Sequence, residues 1–386
     1  MTPSAGPCGG GVAYFDNNAT TAMSPAGRER IAELLRGPLG NAAALHGLGT
    51  AARNVLEEAR ACFVRHLGGA RQVLFTSGGT EANGLCLLGA LHHPANRCEQ
   101  LVVSELEHSS VYNLRDFRLE RPVAVCRARP DGTPDLNHLE DLIAGRPTLV
   151  SMMHVNNETG VMFPVSEIAA LAHRSGGLLH VDAAQSAGKM PLDEVAAQAD
   201  ALTLSAHKFH GPLGVGAIAV LNPRFQLSPV LPGGGQEGGI RSGTVNVPAI
   251  AAAAVALEEA AAAPPPSSGW RDRLEAFLVE QVPHCLVAGQ SAPRLWTTSY
   301  VCFPGLFQED LIEALSRRGV HVGTGAACNS ALPESRVLRS MGIDSLYNQG
   351  GIRISLSRLT PAAAVERFIA AFPAAYAEAM EKSPYR

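Results

Sequence analysis

Charge is scarce in this chain. Only 17% of its 386 residues are Asp, Glu, Lys or Arg, the formal net charge is −4, and Lys and Arg nowhere gather into a dense block. The near balance leaves no electrostatic footprint for direct binding of nucleic acid or of an anionic membrane surface. The eight cysteines (Cys8, Cys62, Cys86, Cys98, Cys126, Cys285, Cys302 and Cys328) include no C-x-x-C pair, and the N-terminus lacks a basic segment followed by an apolar one. Both absences point to a reduced, cytoplasmic setting. Long apolar runs are missing too: Val247 to Ala263 is mostly alanine and carries Glu258 and Glu259, which falls short of a membrane span. No internal repeat is visible. What remains is a soluble globular chain, 46% hydrophobic, long enough for two domains and suited to small-molecule chemistry.

Apolar strand-like runs alternate with helical ones through the first 250 residues: Gln72 to Thr76, Gln100 to Ser104, Leu149 to His154, Leu178 to Asp182, Ala201 to Ser205 and Gly214 to Leu221. This alternation predicts an α/β sheet. The clearest linker is Ala260 to Gly269, with Pro264, Pro265 and Pro266. Beyond it a smaller α+β domain is expected. It would comprise a helix over Arg271 to Val282, a strand over Trp296 to Phe303, a helix over Gln308 to Arg318, a Gly/Ala loop around Cys328, a strand around Arg353 and a final Ala-rich helix. The expected division is an N-terminal arm over 1–16 packing with the small domain, a large α/β domain over 17–262 and a small domain over 263–386.

Lys208 ends the strand-like run of Ala-Leu-Thr-Leu-Ser-Ala-His-Lys (201–208), with Ser205 and His207 beside it. A lysine there can form a Schiff base. Upstream, Leu-Leu-His-Val-Asp-Ala-Ala-Gln (178–185) places Asp182 where a carboxylate can face a pyridinium nitrogen. Thr76-Ser-Gly-Gly-Thr80 follows a strand and opens a helix, a turn that offers backbone N–H groups and hydroxyls to a phosphate. Together the three point to pyridoxal phosphate. His108 follows the strand ending at Ser104, where its ring can stack on a cofactor and move protons. Asn156 and Asn157 follow another strand and offer an amide to a cofactor oxygen or a substrate carboxylate; side-chain to backbone bonds within a turn are the alternative. Cys328 lies in Gly-Thr-Gly-Ala-Ala-Cys-Asn-Ser (323–330), a small-residue stretch without the apolar neighbours that bury Cys62, Cys86, Cys126 and Cys302. It is the candidate nucleophile. Arg353, between Ile352 and Ile354, can present a fork to a carboxylate. His207 and His210 have metal-ligand spacing, but no Cys or carboxylate nearby completes a set.

These residues carry a resemblance over nearly the whole chain. Tyr14-Phe-Asp-Asn-Asn-Ala-Thr-Thr21, Thr76-Ser-Gly-Gly-Thr-Glu81, His154-Val-Asn-Asn-Glu-Thr-Gly160, His180-Val-Asp-Ala-Ala-Gln185, Ser205-Ala-His-Lys208, Gly233-Gly-Gly-Gln-Glu237, Arg241-Ser-Gly-Thr244 and Arg353-Ile-Ser-Leu-Ser-Arg358 stand in family order. The chain resembles the NifS-type cysteine desulfurases, class V aminotransferase-like enzymes of pyridoxal phosphate fold-type I. That resemblance implies a large domain with a mixed, mostly parallel sheet covered by helices on both faces, plus the smaller α+β domain.

It also implies roles. Lys208 would carry pyridoxal 5'-phosphate, Asp182 would pair with the ring nitrogen and Gln185 with the phenolic oxygen. Gly79, Thr80, Ser205 and His207 would hold the phosphate, and Thr244 would reach the phosphate of a partner subunit in a homodimer. His108 would stack on the ring and handle the thiol proton, Asn157 and Arg353 would hold the carboxylate of L-cysteine, and Lys208 would take the Cα proton. Cys328 would attack the substrate sulfur, leaving L-alanine and a persulfide for transfer to a sulfur-acceptor or scaffold protein, for iron-sulfur cluster assembly or thio-modification. Selenocysteine lyase shares these features, and a catalytically idle scaffold in a sulfur-transfer complex is the alternative outside enzymes. Three departures from the family stand out: Gly238 where an Arg is usual, Ala-Ala-Ala-Leu-His46 after Gly40-Asn41 where Pro-Ser-Ser is usual, and a shorter stretch between Cys328 and Val337.

Overall fold

The computed structural model describes residues 11–263, 269–325 and 334–383. Among the described residues the strands are β1 (Ala13–Phe15), β2 (Gln72–Thr76), β3 (Gln100–Ser104), β4 (Val123–Cys126), β5 (Thr148–Met153), β6 (Leu178–Asp182), β7 (Ala201–Ser205), β8 (Gly216–Val220), β9 (Leu286–Val287), β10 (Thr298–Cys302), β11 (Val320–Val322) and β12 (Gly351–Ser355). Seven of them form one sheet in the order β2-β8-β7-β6-β5-β3-β4. β8 runs antiparallel to both β2 and β7, and the other neighbours are parallel.

The expected mixed sheet is present, with two features the sequence pattern did not give. β4 is an edge strand only partly buried, so its short Val-Ala-Val-Cys run lacks the apolar length of its neighbours. β8 runs against β7, a direction that the apolar pattern within the strand does not encode. β3 and β5 to β8 are buried along their whole length, as strands are when helices cover both faces. Val102, Val150, Leu179 and Leu202 face the core shared with helices Gly47–His66, Val165–Arg174 and Val247–Ala262. Leu101, Leu149, Leu178 and Ala201 face the helix Gly79–His92. Alternation on β6 and β7 therefore puts His180, Asp182, Thr203 and Ser205 on the side of that helix, at the carboxyl end of the sheet where α/β folds bind ligands.

A second core collects the antiparallel sheet β12-β10-β9, the parallel pair β1-β11 and the helices Gly269–Gln281, Gln308–Arg317 and Ala362–Glu381. Aromatic residues make up only 5% of the sequence, yet several meet here. Phe372 lies 5.5 to 6.0 Å, centroid to centroid, from Phe277, Phe303, Phe368 and Tyr376. Phe15 of β1 packs edge-on against Phe368, which ties the start of the chain to its last helix.

Gly238 does not leave Glu237 without a cation. The Arg60 guanidinium donates to both Glu237 oxygens at 2.8 Å, and Phe75 N–H donates to one of them at 2.8 Å. Gly238 has a φ of +67°, a left-handed conformation in which a side chain is strained. The Ala-rich turn is closed from nearby: Asn41 Oδ1 accepts from Ala43 N–H at 3.0 Å, and Arg53 donates to the Ala44 carbonyl at 3.1 Å. The Glu237 side chain is 2% exposed, so removing its cation strands a buried charge. Arg60→Met is expected to lower stability by about 3 kcal/mol, read as a lower urea midpoint for the first unfolding transition.

Candidate active site

Lys208 follows β7 on a short turn, and its amine donates to the backbone carbonyls of Asn18 (2.6 Å) and Ala19 (2.8 Å). Those carbonyls belong to a polar strap over residues 16–21 that runs between the two cores. Asn18 Nδ2 donates to Thr298 Oγ1 at 2.9 Å and to the Asn157 carbonyl at 3.0 Å, and Asn18 N–H donates to Ser355 Oγ at 2.9 Å. Asn17 Nδ2 reaches the Ser355 carbonyl at 2.7 Å. Thr21 Oγ1 donates to the His207 carbonyl at 2.8 Å, fixing the turn that carries Lys208. The residues of the strap entered the sequence reading only as a motif; their signal was a run of short polar side chains directly after a strand.

Asp182 ends β6. Its carboxylate accepts from Asn83 Nδ2 at 2.8 Å and from Ala184 N–H at 2.9 Å. Behind Asn83 runs a buried chain of hydrogen bonds. Thr203 Oγ1 donates to Asn83 Oδ1 at 2.5 Å, His180 Nε2 lies 2.9 Å from Thr203 Oγ1, and Ser151 Oγ lies 2.9 Å from His180 Nδ1. Burial pushes His180 down to about 4, so the chain is uncharged and supports a single carboxylate. Asn83, Thr203 and His180 were not assigned roles from sequence. The available signal was the two-residue spacing of His180 from Asp182 and of Thr203 from Ser205.

The helix Gly79–His92 begins with no side chain capping it, and a Cβ on Gly79 would lie 3.2 Å from Ser205 Cβ. Its first N–H groups and the Ser205 hydroxyl therefore border one small space, with Thr80 exposed on the first turn. His207 turns Nδ1 toward Thr20 Oγ1 at 3.1 Å, and burial pushes it down to about 4. His210 is engaged elsewhere, its Nδ1 donating to the Ala22 carbonyl at 2.8 Å. Gln185 donates to the Asn18 carbonyl at 3.0 Å and accepts from Lys189 Nζ at 2.7 Å. Thr244 is exposed, on a loop held to the same helix by Arg241 and Glu81 at 2.7 Å.

His108 follows β3. Ser110 N–H donates to its Nδ1 at 3.1 Å and Ser110 Oγ lies 2.8 Å from the same nitrogen, which leaves the neutral ring its proton on Nε2. Burial lowers its pKa; Asp182 works against that shift, while Lys208 and Arg336 add to it. Arg353 is buried in β12, not a surface residue. It donates to Asp16 Oδ1 at 2.7 Å and to the Asn157 carbonyl at 3.1 Å, while its buried Nε has no hydrogen-bond partner among the described residues. Asn156 is structural: its Oδ1 accepts from the N–H groups of Glu158 and Thr159, both at 2.9 Å. Cys328 lies outside the described residues; Gly325 and Glu334 are the described residues on either side of its segment.

This constellation suits pyridoxal phosphate by its own chemistry. An uncapped helix start beside Ser205 suits a dianionic phosphate, Asp182 is a buried anion for a ring nitrogen, and Lys208 supplies the amine. The Arg353 Nε, without a partner among the described residues, is a buried donor of the kind that a carboxylate accepts from. Among the described residues no group of three or more His, Cys, Asp or Glu is placed to hold a metal ion, and no helix is long and apolar enough to cross a membrane.

A family model, "Aminotransferase class-V", matches residues 13–368. The chain is 39% identical over 380 residues to a cysteine desulfurase of Cereibacter sphaeroides, covering 96% of this chain and 97% of that protein. Among solved structures, a NifS-like protein from Rickettsia africae superposes with a TM-score of 0.85 at 30% identity, covering 95% of this chain and 99% of that one. SspA, solved in complex with cysteine, superposes with a TM-score of 0.79 at 29% identity, over 89% and 98% of the two chains.

The described cysteines sort by burial. Cys62, Cys86, Cys98, Cys126 and Cys302 are buried and unpaired, and burial pushes Cys62 and Cys98 up to about 11 and Cys126 to about 12. Cys86 and Cys302 are raised further. In native protein treated with iodoacetamide at mildly alkaline pH, these five are expected to stay unmodified, and all to react after unfolding, as peptide mass spectrometry would show.

Proposed function

Since the chain belongs to the class-V aminotransferase family and is, within it, a NifS-type cysteine desulfurase dependent on pyridoxal 5'-phosphate, we propose that its site residues act as follows. The carrying observation is that one strap bonds both Lys208 and Arg353, while Asp182 and the Gly79 helix start, which borders Ser205, lie at the same carboxyl end of the sheet as Lys208. When bound, the cofactor supplies an electron sink that makes the substrate Cα proton acidic.

Asp182, steadied by Asn83 and Ala184, holds the ring nitrogen. Gly79, Thr80, Ser205 and neutral His207 hold the phosphate, with Thr244 from the partner of a homodimer. Gln185 is oriented by Lys189, whose amine donates to its oxygen, and by the Asn18 carbonyl, which takes one of its two N–H groups and leaves the other for the phenolic oxygen. Arg353, braced by Asp16, and Asn157 bind the carboxylate of L-cysteine. Lys208 removes the Cα proton, and the strap carbonyls receive its ammonium form. His108 would lie against the bound cofactor's ring, and its neutral imidazole moves the thiol proton. Cys328 as thiolate takes the substrate sulfur: the carbon–sulfur bond breaks, a sulfur–sulfur bond forms, and L-cysteine plus the Cys328 thiol become L-alanine plus the Cys328 persulfide. The persulfide then goes to an acceptor or scaffold protein. A cytoplasmic setting belongs to the same reading, supported by the buried unpaired cysteines.

Alanine and sulfide formation from L-cysteine with a reductant tests this. Cys328→Ala should keep the cofactor absorbance and lose alanine formation; alanine formation surviving in that variant overturns the persulfide role. Turnover confined to L-selenocysteine, run in parallel, would favour a lyase. His108→Ala should lower kcat by about 10²- to 10⁴-fold. Because burial lowers the His108 pKa below its ordinary value of 6.5, the ring stays neutral at pH 7, and the acid limb of kcat/KM should lie below that value and vanish in His108→Ala.

A further inference from the structure

Both chain ends that flank the Cys328 segment meet one carboxylate. Ser335 Oγ donates to Glu158 Oε2 at 2.5 Å. On the other side, a Cβ on Gly325 would lie 2.2 Å from the same oxygen and 2.8 Å from Tyr300 Oη, so any side chain there would have to displace the Glu158 carboxylate. Gly325 N–H donates to Tyr300 Oη at 3.1 Å, and Tyr300 donates to the Gly351 carbonyl at 3.3 Å, on the same strand as Arg353. Arg336, directly after Ser335, donates to the carbonyls of Glu105 and Glu107 and lies over the Tyr112 ring at 3.8 Å. Glu158 is itself held by Asn156, on the turn whose Asn157 carbonyl takes Arg353.

We infer that Glu158 is a positioning residue, tying both flanks of the Cys328 segment to the corner that takes the substrate carboxylate, so that the nucleophile and the substrate share one anchor. The inference rests on the reading of Cys328 as the sulfur acceptor. The surroundings fit an anchor held near electrical balance. Burial raises Glu158 to about 7, while Ser335, Arg353 and Arg336 draw it down, and Tyr300 faces it from β10. A carboxyl in that state accepts a hydrogen bond from Ser335 without leaving a full uncompensated charge.

The position matters for sulfur transfer and not for substrate capture. Glu158 makes none of the bonds that pin Arg353, since those go to Asp16 and Asn157. Its loss should therefore leave cysteine binding intact and slow the step that needs the thiol.

The test compares Glu158→Ala, Glu158→Gln and Ser335→Ala holoenzymes with wild type and Cys328→Ala. It follows the absorbance change on adding L-cysteine, which needs no thiol, and alanine formation, which does. Glu158→Ala and Ser335→Ala should lower kcat about tenfold, as small misplacements of a reacting group do, with KM and the cysteine-induced absorbance change within about twofold of wild type. Glu158→Gln, which keeps an acceptor for Ser335, should recover most of the rate. The inference is overturned if Glu158→Ala and Ser335→Ala turn over at the wild-type rate, or if their losses match losses of cofactor absorbance and cysteine binding. Should Glu158→Ala not fold, Ser335→Ala and the Gln variant decide alone. Alanine formation by Cys328→Ala would sink the underlying reading instead, an outcome visible in the same experiment.

Discussion

A lysine amine lying on two peptide carbonyls organises this molecule. The Asn18 and Ala19 carbonyls receive Lys208, and the side chains of the same strap bond to Thr298, Ser355, the Asn157 carbonyl and, through Asp16, Arg353. One stretch of backbone thus sets the height of the amine above the sheet and the distance from amine to carboxylate-binding arginine. Neither core fixes that distance by itself. Carbonyl dipoles suit the purpose: they steady a protonated amine without the full opposing charge that would hold the proton there.

Electrostatics around the amine follow a pattern of neutral support. His180 and His207 are pushed down to about 4 by burial, and His108 is lowered as well. These rings hydrogen-bond and pack without adding positive charge. Glu107, directly before His108, is raised well above the ordinary carboxylate range by burial and by the nearby Asp182 carboxylate, so it adds no second negative charge there. The site can then present one carboxylate and one amine to a cofactor that carries charge of its own.

Much of this was legible in the sequence, and the reason differs by element. The buried strands β3 and β5 to β8 announce themselves as short apolar runs, and Asp182, Ser205 and Lys208 follow at their ends because the side-chain alternation of a strand is a local property. The Gly79 turn is legible for the same reason. Arg353 was marked by its apolar neighbours. The strap was not, since its meaning lies in partners more than three hundred residues away, and no local pattern encodes that. The relay through Asn83, Thr203 and His180 is assembled from a helix and two strands, so each member reads as an ordinary polar residue alone. Gly238 marks a missing Arg in the local sequence, but that pattern does not show the cation of Glu237, which arrives from a helix far earlier in the chain.

The strap also sets an order of events during synthesis. Asn17 and Asn18 leave the ribosome early, but their bonds to Ser355 span 338 and 337 residues, and Asp16 waits equally long for Arg353. Contacts so far apart in sequence are slow to close and are made after local ones. The large sheet can condense first and hold Lys208 in place with no finished ceiling above it. A nascent chain therefore has no finished ceiling over Lys208 until β12 has emerged, and loss of that strand costs competence while leaving every strand of the large sheet in place.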